Sequence, residues 1–169
     1  DSAAALRKME EAEVELVCFN LDVLIEALQG PCPGNQEFLA DTDGFIAALD
    51  KIMQSPFHDR VRVAIRLQVK AAAVKLIASM LESRLDKELK VHSALSRELE
   101  PVAFDMLRTY LNKVLNKSEG KVTDGEFEER EGTVLEAMAS ISTITTELCL
   151  VPAYLKKLQS IKKKRKKAS

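Results

Sequence analysis

The sequence has no tryptophan and few aromatic residues of any kind. Of its 169 residues 5% are aromatic, whereas 46% are hydrophobic. Six glycines and five prolines lie at a few positions, which leaves long stretches without a helix breaker. This composition suits aliphatic helix-on-helix packing and argues against a strand-rich fold. The sequence therefore predicts an all-α fold.

The residue types that most often carry catalysis are also scarce. There are three cysteines, none in a CxxC pair, and two histidines, His58 and His92. The cysteine usage indicates a reduced, cytosolic setting. No Ser/His/Asp or Cys/His set and no phosphate-cradling glycine loop can be assembled, so we predict that the chain is not an enzyme. Cys32, between two prolines, is a candidate redox thiol, although structural packing is the simpler interpretation.

Long hydrophobic runs and an excess of one charge are missing as well. No apolar run approaches the roughly 18 residues that span a bilayer, and no signal peptide is recognisable. The chain begins with Asp1, so we expect a segment of a longer protein. Six of the 25 basic residues lie in residues 162–167; without them 19 basic and 26 acidic residues remain, a formal charge of −7. An acidic body predicts no binding to nucleic acid.

Hydrophobic periodicity and Pro/Gly corners predict about seven helices. The first is a long helix over residues 2–29, and Asp59 is the predicted cap of a helix from about residue 60 to 82. Residues 116–132 are polar and contain three glycines, which predicts one long loop. Short helices joined by such corners are typical of an α-solenoid, with an up-down bundle as the competing architecture.

The most informative stretch is residues 24–39, LIEALQGPCPGNQEFL. Its apolar residues first recur at helical spacing, and Gly30 then follows at the position where a left-handed backbone ends a helix. Asn35 is the predicted N-cap of the next helix, which is expected to carry Phe38 and Leu39 inward. The physics predicts a rigid helix–corner–helix.

The same string resembles the signature of the RIH-associated domain of intracellular calcium-release channels, the inositol trisphosphate and ryanodine receptors. Residues 75–84, KLIASMLESR, resemble a second segment of that domain at the expected distance downstream. The resemblance covers about residues 14–160. It implies an armadillo-like α-solenoid over residues 1–161, followed by a basic tail at 162–169.

The resemblance also implies a function. The chain would be a cytosolic regulatory segment of a ligand-gated calcium-release channel, at the cytosolic face of the endoplasmic reticulum membrane. It would relay ligand and calcium binding to the pore. Its partners would be other domains of the same channel, expected to be a homotetramer, and only the pore domain would enter the membrane.

One glutamate of the string is the candidate metal ligand. Glu26 matches a family glutamate that resembles a ligand of the activating calcium ion, and Gln29, on the same helix face, would orient it or contribute a carbonyl. Calcium takes six to eight oxygen ligands. We therefore expect residues outside this chain to complete the site, and the isolated chain to bind calcium weakly or not at all.

Two other interpretations stay open. Residues 115–127 carry half of an EF-hand pattern, with Gly120 and Glu126 at loop positions 6 and 12, but Leu115 and Lys117 at positions 1 and 3 cannot coordinate calcium. An acidic surface loop is the simpler interpretation, and a calcium sensor is the functional one. The other alternative is a stand-alone helical scaffold for protein–protein interaction, whose basic tail resembles a nuclear-import signal or an anionic-lipid patch.

Overall fold

The chain folds into helices throughout the part that the structure describes. The structure, a computed structural model, describes residues 2–30, 32–83, 89–116 and 124–168, and these contain no strand. The all-α prediction is confirmed. The nine helices within these residues are α1 (Ser2–Leu6), α2 (Glu11–Ala27), α3 (Pro33–Asp41), α4 (Phe45–Gln54), α5 (Val63–Leu81), α6 (Lys90–Glu98), α7 (Pro101–Asn116), α8 (Asp124–Leu148) and α9 (Pro152–Ala168).

The single helix predicted over residues 2–29 is wrong, and so is the count of about seven. The chain breaks after Leu6 and starts again at Glu11. A capping box makes the new start: the backbone N–H of Glu10 donates to the Glu13 carboxylate at 2.8 Å, and the Glu10 side chain accepts in return. This arrangement satisfies backbone N–H groups that a helix start otherwise leaves unpaired.

The loop predicted at residues 116–132 is wrong from Asp124 onward, where α8 begins. Glu126, Glu128 and Glu129 lie in its first turns, where negative charge interacts favourably with the positive end of the helix. These strong helix formers outweigh the two glycines of the stretch, each of which costs only about 1 kcal/mol. Residues 117–123, with most of the EF-hand-like pattern, lie outside the described residues.

Helix α5 lies at the centre of the fold. It packs against α2 and α8 most extensively and also contacts α3, α4, α6 and α7. Because it has neighbours on several sides, its buried residues cover more than half of its circumference instead of one narrow stripe, and Gln68 and Lys75 lie on the remaining exposed face. Its fully buried side chains include Leu67, Leu76, Ile77 and Met80.

The start of α5 is fixed by a residue far away in sequence. The prediction that Asp59 caps this helix is wrong, because the helix begins at Val63 and its N-cap residue is Arg62. The Glu11 carboxylate accepts from the Arg62 backbone N–H at 2.8 Å and from its guanidinium Nε at 2.7 Å. The arginine lowers the pKa of Glu11 through these two hydrogen bonds. The first turn of α2 therefore caps α5.

The basic residues at 162–167 continue α9 to Ala168. Arg165 reaches back to Asp105 on α7, with Nη2 and Oδ2 2.7 Å apart. One turn or more before them, the Lys157 ammonium donates to the carbonyls of Arg97 and Leu99 and to the Glu100 carboxylate, at 3.0 to 3.1 Å. At least one of the basic side chains thus contributes to packing of the terminal helix.

Candidate functional site

Glu26 lies on the last turn of α2 and its side chain is exposed. Ile25 and Leu28 on either side of it are buried, so the helix end is anchored while the carboxylate faces outward. The Gln29 amide nitrogen donates to Glu26 Oε1 at 2.7 Å. The two residues predicted to act together are therefore in contact, with Gln29 placed to orient the carboxylate.

The corner after this helix closes largely as the sequence predicts. Gly30 has φ +75°, the left-handed backbone that glycine adopts most easily. Asn35 does not cap the next helix, however, because α3 already begins at Pro33 with Cys32 as its N-cap residue. Instead the Asn35 amide donates to the carbonyl of Ala27 at 2.8 Å, across the corner. The asparagine thus holds the end of α2 against the start of α3.

Gln36 connects the corner to the second segment that carries the resemblance. The side chain is 1% exposed, and its amide nitrogen donates to the carbonyls of Ser79 and Glu82 at 3.0 and 2.9 Å. Both carbonyls lie at the C-terminal end of α5, where backbone acceptors have no partner within the helix. A residue more than forty positions upstream therefore caps α5.

An apolar stripe lies exposed on α2. Leu16, Phe19 and Val23 are 61%, 65% and 50% exposed and recur at helical spacing. Glu26 follows Val23 by three residues and Phe19 by seven, which places it at the end of the same face. Phe38, predicted to point inward, is 71% exposed, whereas Leu39 is buried as predicted.

The described residues contain no cluster of three or more His, Cys, Asp or Glu side chains that could hold a metal ion. The end of the EF-hand-like pattern, Asp124 to Phe127, forms the first turn of α8. Cys32 is half-buried, and it is one of three free cysteines in the chain.

The two histidines make different structural contacts. His58 Nδ1 accepts from the backbone N–H of Arg60 at 3.0 Å, as in a turn. His92 is 1% exposed, with Nε2 3.0 Å from the Glu147 carboxylate, so it ties α6 to α8. Its Nδ1 has no hydrogen-bond partner among the described residues.

Sequence reasoning missed a buried lysine in α5. Lys70 is 4% exposed, and its ammonium donates to the carbonyls of Ile52, Met53 and Ser55 at 2.7, 2.8 and 2.9 Å, at the end of α4. Burial lowers its pKa to about 7. The available signal was the position of Lys70 between Val69 and the three alanines Ala71–Ala73, on the predicted apolar side of α5, where a charge needs fixed partners.

Comparisons with protein-family models, with curated proteins and with solved structures find no match to this chain. Among the described residues no single helix is long and apolar enough to cross a membrane. Only the bent pair Gly125–Leu148 and Pro152–Lys167, at 111°, reaches the required length and composition together.

Proposed function

We propose that this chain is a regulatory segment of an intracellular ligand-gated calcium-release channel. In this role it lies at the cytosolic face of the endoplasmic reticulum membrane, as an armadillo-like helical array within a homotetramer. It has no catalytic task; it transmits ligand-driven and calcium-driven movement from other domains of the channel to the pore.

The observation that carries the proposal is the contact between the two segments that resemble the RIH-associated domain. They are about forty residues apart in sequence, yet Gln36 of the first donates two hydrogen bonds to the last turn of the second. Two chance similarities have no reason to meet in the fold. Two parts of one structural unit do.

The arrangement of Glu26 supports a shared calcium site. Its exposed carboxylate ends a face with three exposed apolar side chains, so a neighbouring domain that covers this face would bring oxygen ligands next to Glu26. Calcium needs more oxygens than Glu26 and Gln29 supply. In the proposed mechanism the ion fastens α2 to that domain and favours the open channel because it binds that arrangement more tightly.

The substitution Glu26→Gln in the full-length channel tests this role. The amide keeps the size and the exposed position but removes the charge, so we expect calcium activation to require about tenfold more calcium, a change of about 1.4 kcal/mol. Glu136→Gln, an exposed glutamate on α8, is the matched control and should leave the activation curve in place. An unchanged curve for Glu26→Gln would remove Glu26 from the site.

Calorimetric titration of the isolated chain with calcium separates this proposal from a calcium sensor. A site that needs outside ligands should give no tight binding. A micromolar site in the isolated chain would contradict the shared site and favour the sensor.

The exposed face of α2 also favours a second candidate function, a stand-alone helical scaffold whose apolar stripe binds a partner protein. The reading frame distinguishes the two. A channel segment requires membrane-spanning helices encoded downstream of Ser169, and a stop codon there would refute the channel and leave the scaffold.

A further inference from the structure

A cavity of about 550 Å³ lies between α4, α5 and α7, and Arg165 of α9 lines one side of it. Four basic side chains line it, Arg66, Lys70, Lys113 and Arg165, against two acidic ones, Asp59 and Asp105. The lining therefore has a formal charge of +2 when Lys70 is protonated, although the described body of the protein carries more acidic than basic residues outside 162–167.

Hydrogen-bond donors in this cavity remain unused. The Nε of Arg66 and the hydroxyl of Tyr110 are both buried and have no hydrogen-bond partner among the described residues. Burial raises the pKa of Tyr110, so its hydroxyl keeps the proton at neutral pH and acts as a donor. Buried donors without partners are uncommon because each costs about 1–3 kcal/mol, and a bound acceptor would remove that cost.

The ion pairs in the lining leave positive charge uncompensated. Arg165 pairs with Asp105 at 2.7 Å, whereas Arg66 Nη1 is 3.4 Å from Asp59, whose side chain is fully exposed. Lys70 donates all three N–H groups to backbone carbonyls, which are neutral, so it contributes positive potential without a free donor. An anion in the cavity would therefore be held by Arg66, Tyr110 and Lys113 within the field of Lys70, after a side-chain rotation that brings the two buried donors to the cavity surface.

The rest of the wall is apolar. Of the apolar residues that line it, Met53 and Phe57 are buried, while Val102 and Met106, on α7, are 40% and 44% exposed. Apolar walls with a few convergent polar groups are typical of small-molecule sites, and the volume lies within the usual range of about 300–1,000 Å³.

We propose that this cavity binds an organic phosphate monoester, with the phosphate on Arg66, Tyr110 and Lys113 and an apolar body against Met53, Phe57, Val102 and Met106. A phosphate monoester carries about −1.5 to −2 charge at neutral pH. The lining carries a surplus of one to two positive charges there, since Lys70 is about half protonated, and a bound dianion favours its ammonium form and so the larger surplus. Its three terminal oxygens are acceptors only, as the unused donors require. The site is separate from Glu26 and does not depend on the proposed channel function.

Calorimetric titration of the whole chain with 1-naphthyl phosphate tests the proposal. We expect saturable binding with one ligand per chain, and binding weaker by at least about tenfold for both 1-naphthol, which lacks the anion, and inorganic phosphate, which lacks the apolar body. Equal affinity for 1-naphthol would overturn the proposal, as would the absence of saturable binding of 1-naphthyl phosphate.

Two variants locate the binding. Tyr110→Phe removes only the unused hydroxyl, so the fold should be unaffected while binding weakens by about fivefold to tenfold. Arg66→Gln should weaken binding by at least about tenfold because a charged hydrogen bond is lost. Lys163→Met, on the exposed part of α9, is the matched control and should bind as the parent does. Unchanged affinity in both cavity variants would overturn the proposal.

The source of the phosphate is decided by competition. Displacement of 1-naphthyl phosphate by monomeric lysophosphatidate supports the site and assigns it to a lipid phosphate. Binding of 1-naphthyl phosphate that lysophosphatidate does not displace supports the site and assigns it to a water-soluble monoester.

Discussion

Burial of Lys70 makes the stability of the protein depend on pH in a direction that can be worked out in advance. The ammonium lies among the carbonyls that end α4, with the rings of Phe57 and Tyr110 5.5 and 5.4 Å from it. Loss of water lowers the pKa of Lys70 from its ordinary value of 10.5 to about 7. The carbonyls and the ring faces oppose the decrease because they favour the ammonium form.

The sign follows from where the proton is bound. Between pH 7 and 10.5 an unfolded chain keeps the proton on Lys70 while the folded chain has released it. The free energy of unfolding therefore rises with pH, by at most about 1.4 kcal/mol per pH unit from this one group. Since the folded group is half-titrated near pH 7, the increase from pH 7 to pH 9 is at most about 2 kcal/mol.

The assay is urea unfolding at pH 7, 8 and 9 under reducing conditions, with the parent compared to Lys70→Met. Methionine has a similar length and no charge, so the difference between the two proteins isolates the titration of Lys70. We expect the free energy of unfolding of the parent, relative to that of the variant, to increase by about 2 kcal/mol from pH 7 to pH 9. Lys75→Met, at an exposed position of the same helix, should show a difference that does not change with pH. A constant difference for Lys70→Met would mean that the folded protein keeps the ammonium, and the reasoning on burial would fail.

Three further changes should separate structural roles by urea unfolding. Gln36→Ala should destabilise by about 2–4 kcal/mol because it empties a buried position and removes two hydrogen bonds to the end of α5. Gln29→Ala should cost less than about 0.5 kcal/mol at its exposed position, and similar losses for the two variants would refute the cap at the end of α5. Gly132→Ala should stabilise α8 by about 0.5–1 kcal/mol, since apart from its chain neighbours and the backbone of its own helix no described atom lies within 4 Å of the added carbon. Gly30→Ala should destabilise by about 1 kcal/mol because of its left-handed backbone, and the opposite order would contradict the assignment of the corner. Tyr154→Phe should leave the free energy of unfolding unchanged or raise it by up to about 1 kcal/mol, because the fully buried hydroxyl has no hydrogen-bond partner among the described residues. A decrease of more than about 1 kcal/mol would indicate that the hydroxyl makes a hydrogen bond.

Much of the fold could be predicted because it depends on short-range signals. The all-α class follows from composition, and the ends of helices at Gly30, Ser55 and Pro101 lie where glycine and proline indicate them. The inner faces of α4 and α7 follow from apolar residues three and four positions apart. Each of these features depends on residues within about one helical turn.

The parts that could not be predicted depend on residues distant in sequence. Glu11 caps α5 from α2, and Gln36 closes the other end of α5 from α3. A local pattern offers no means to choose such partners, so it predicts caps at the nearby Asp59 and Asn35 that neither residue forms. The buried ammonium of Lys70 has the same cause, because its partners on α4 lie 15 to 18 residues away.

Of the candidate site, only the pairing of Glu26 with Gln29 could be predicted from the sequence. Spacing of three residues places Glu26 and Gln29 on one helix face, and the hydrogen bond between them follows from that spacing. The cavity next to Lys70 is assembled from four helices, and no one of them carries a recognisable motif.

The structural roles within residues 24–39 sharpen the case for Glu26. Gly30 turns the backbone, Asn35 joins α2 to α3, and Gln36 closes α5, so the fold itself requires these residues. Glu26 is exposed, and among the described residues its carboxylate is hydrogen-bonded to Gln29, which is exposed too. The fold therefore gives no reason for a carboxylate at this position. In the proposed channel, the carboxylate would meet its partner outside the described residues. A cation held between two domains is the partner that the charge of Glu26 and its place at the end of the apolar face favour.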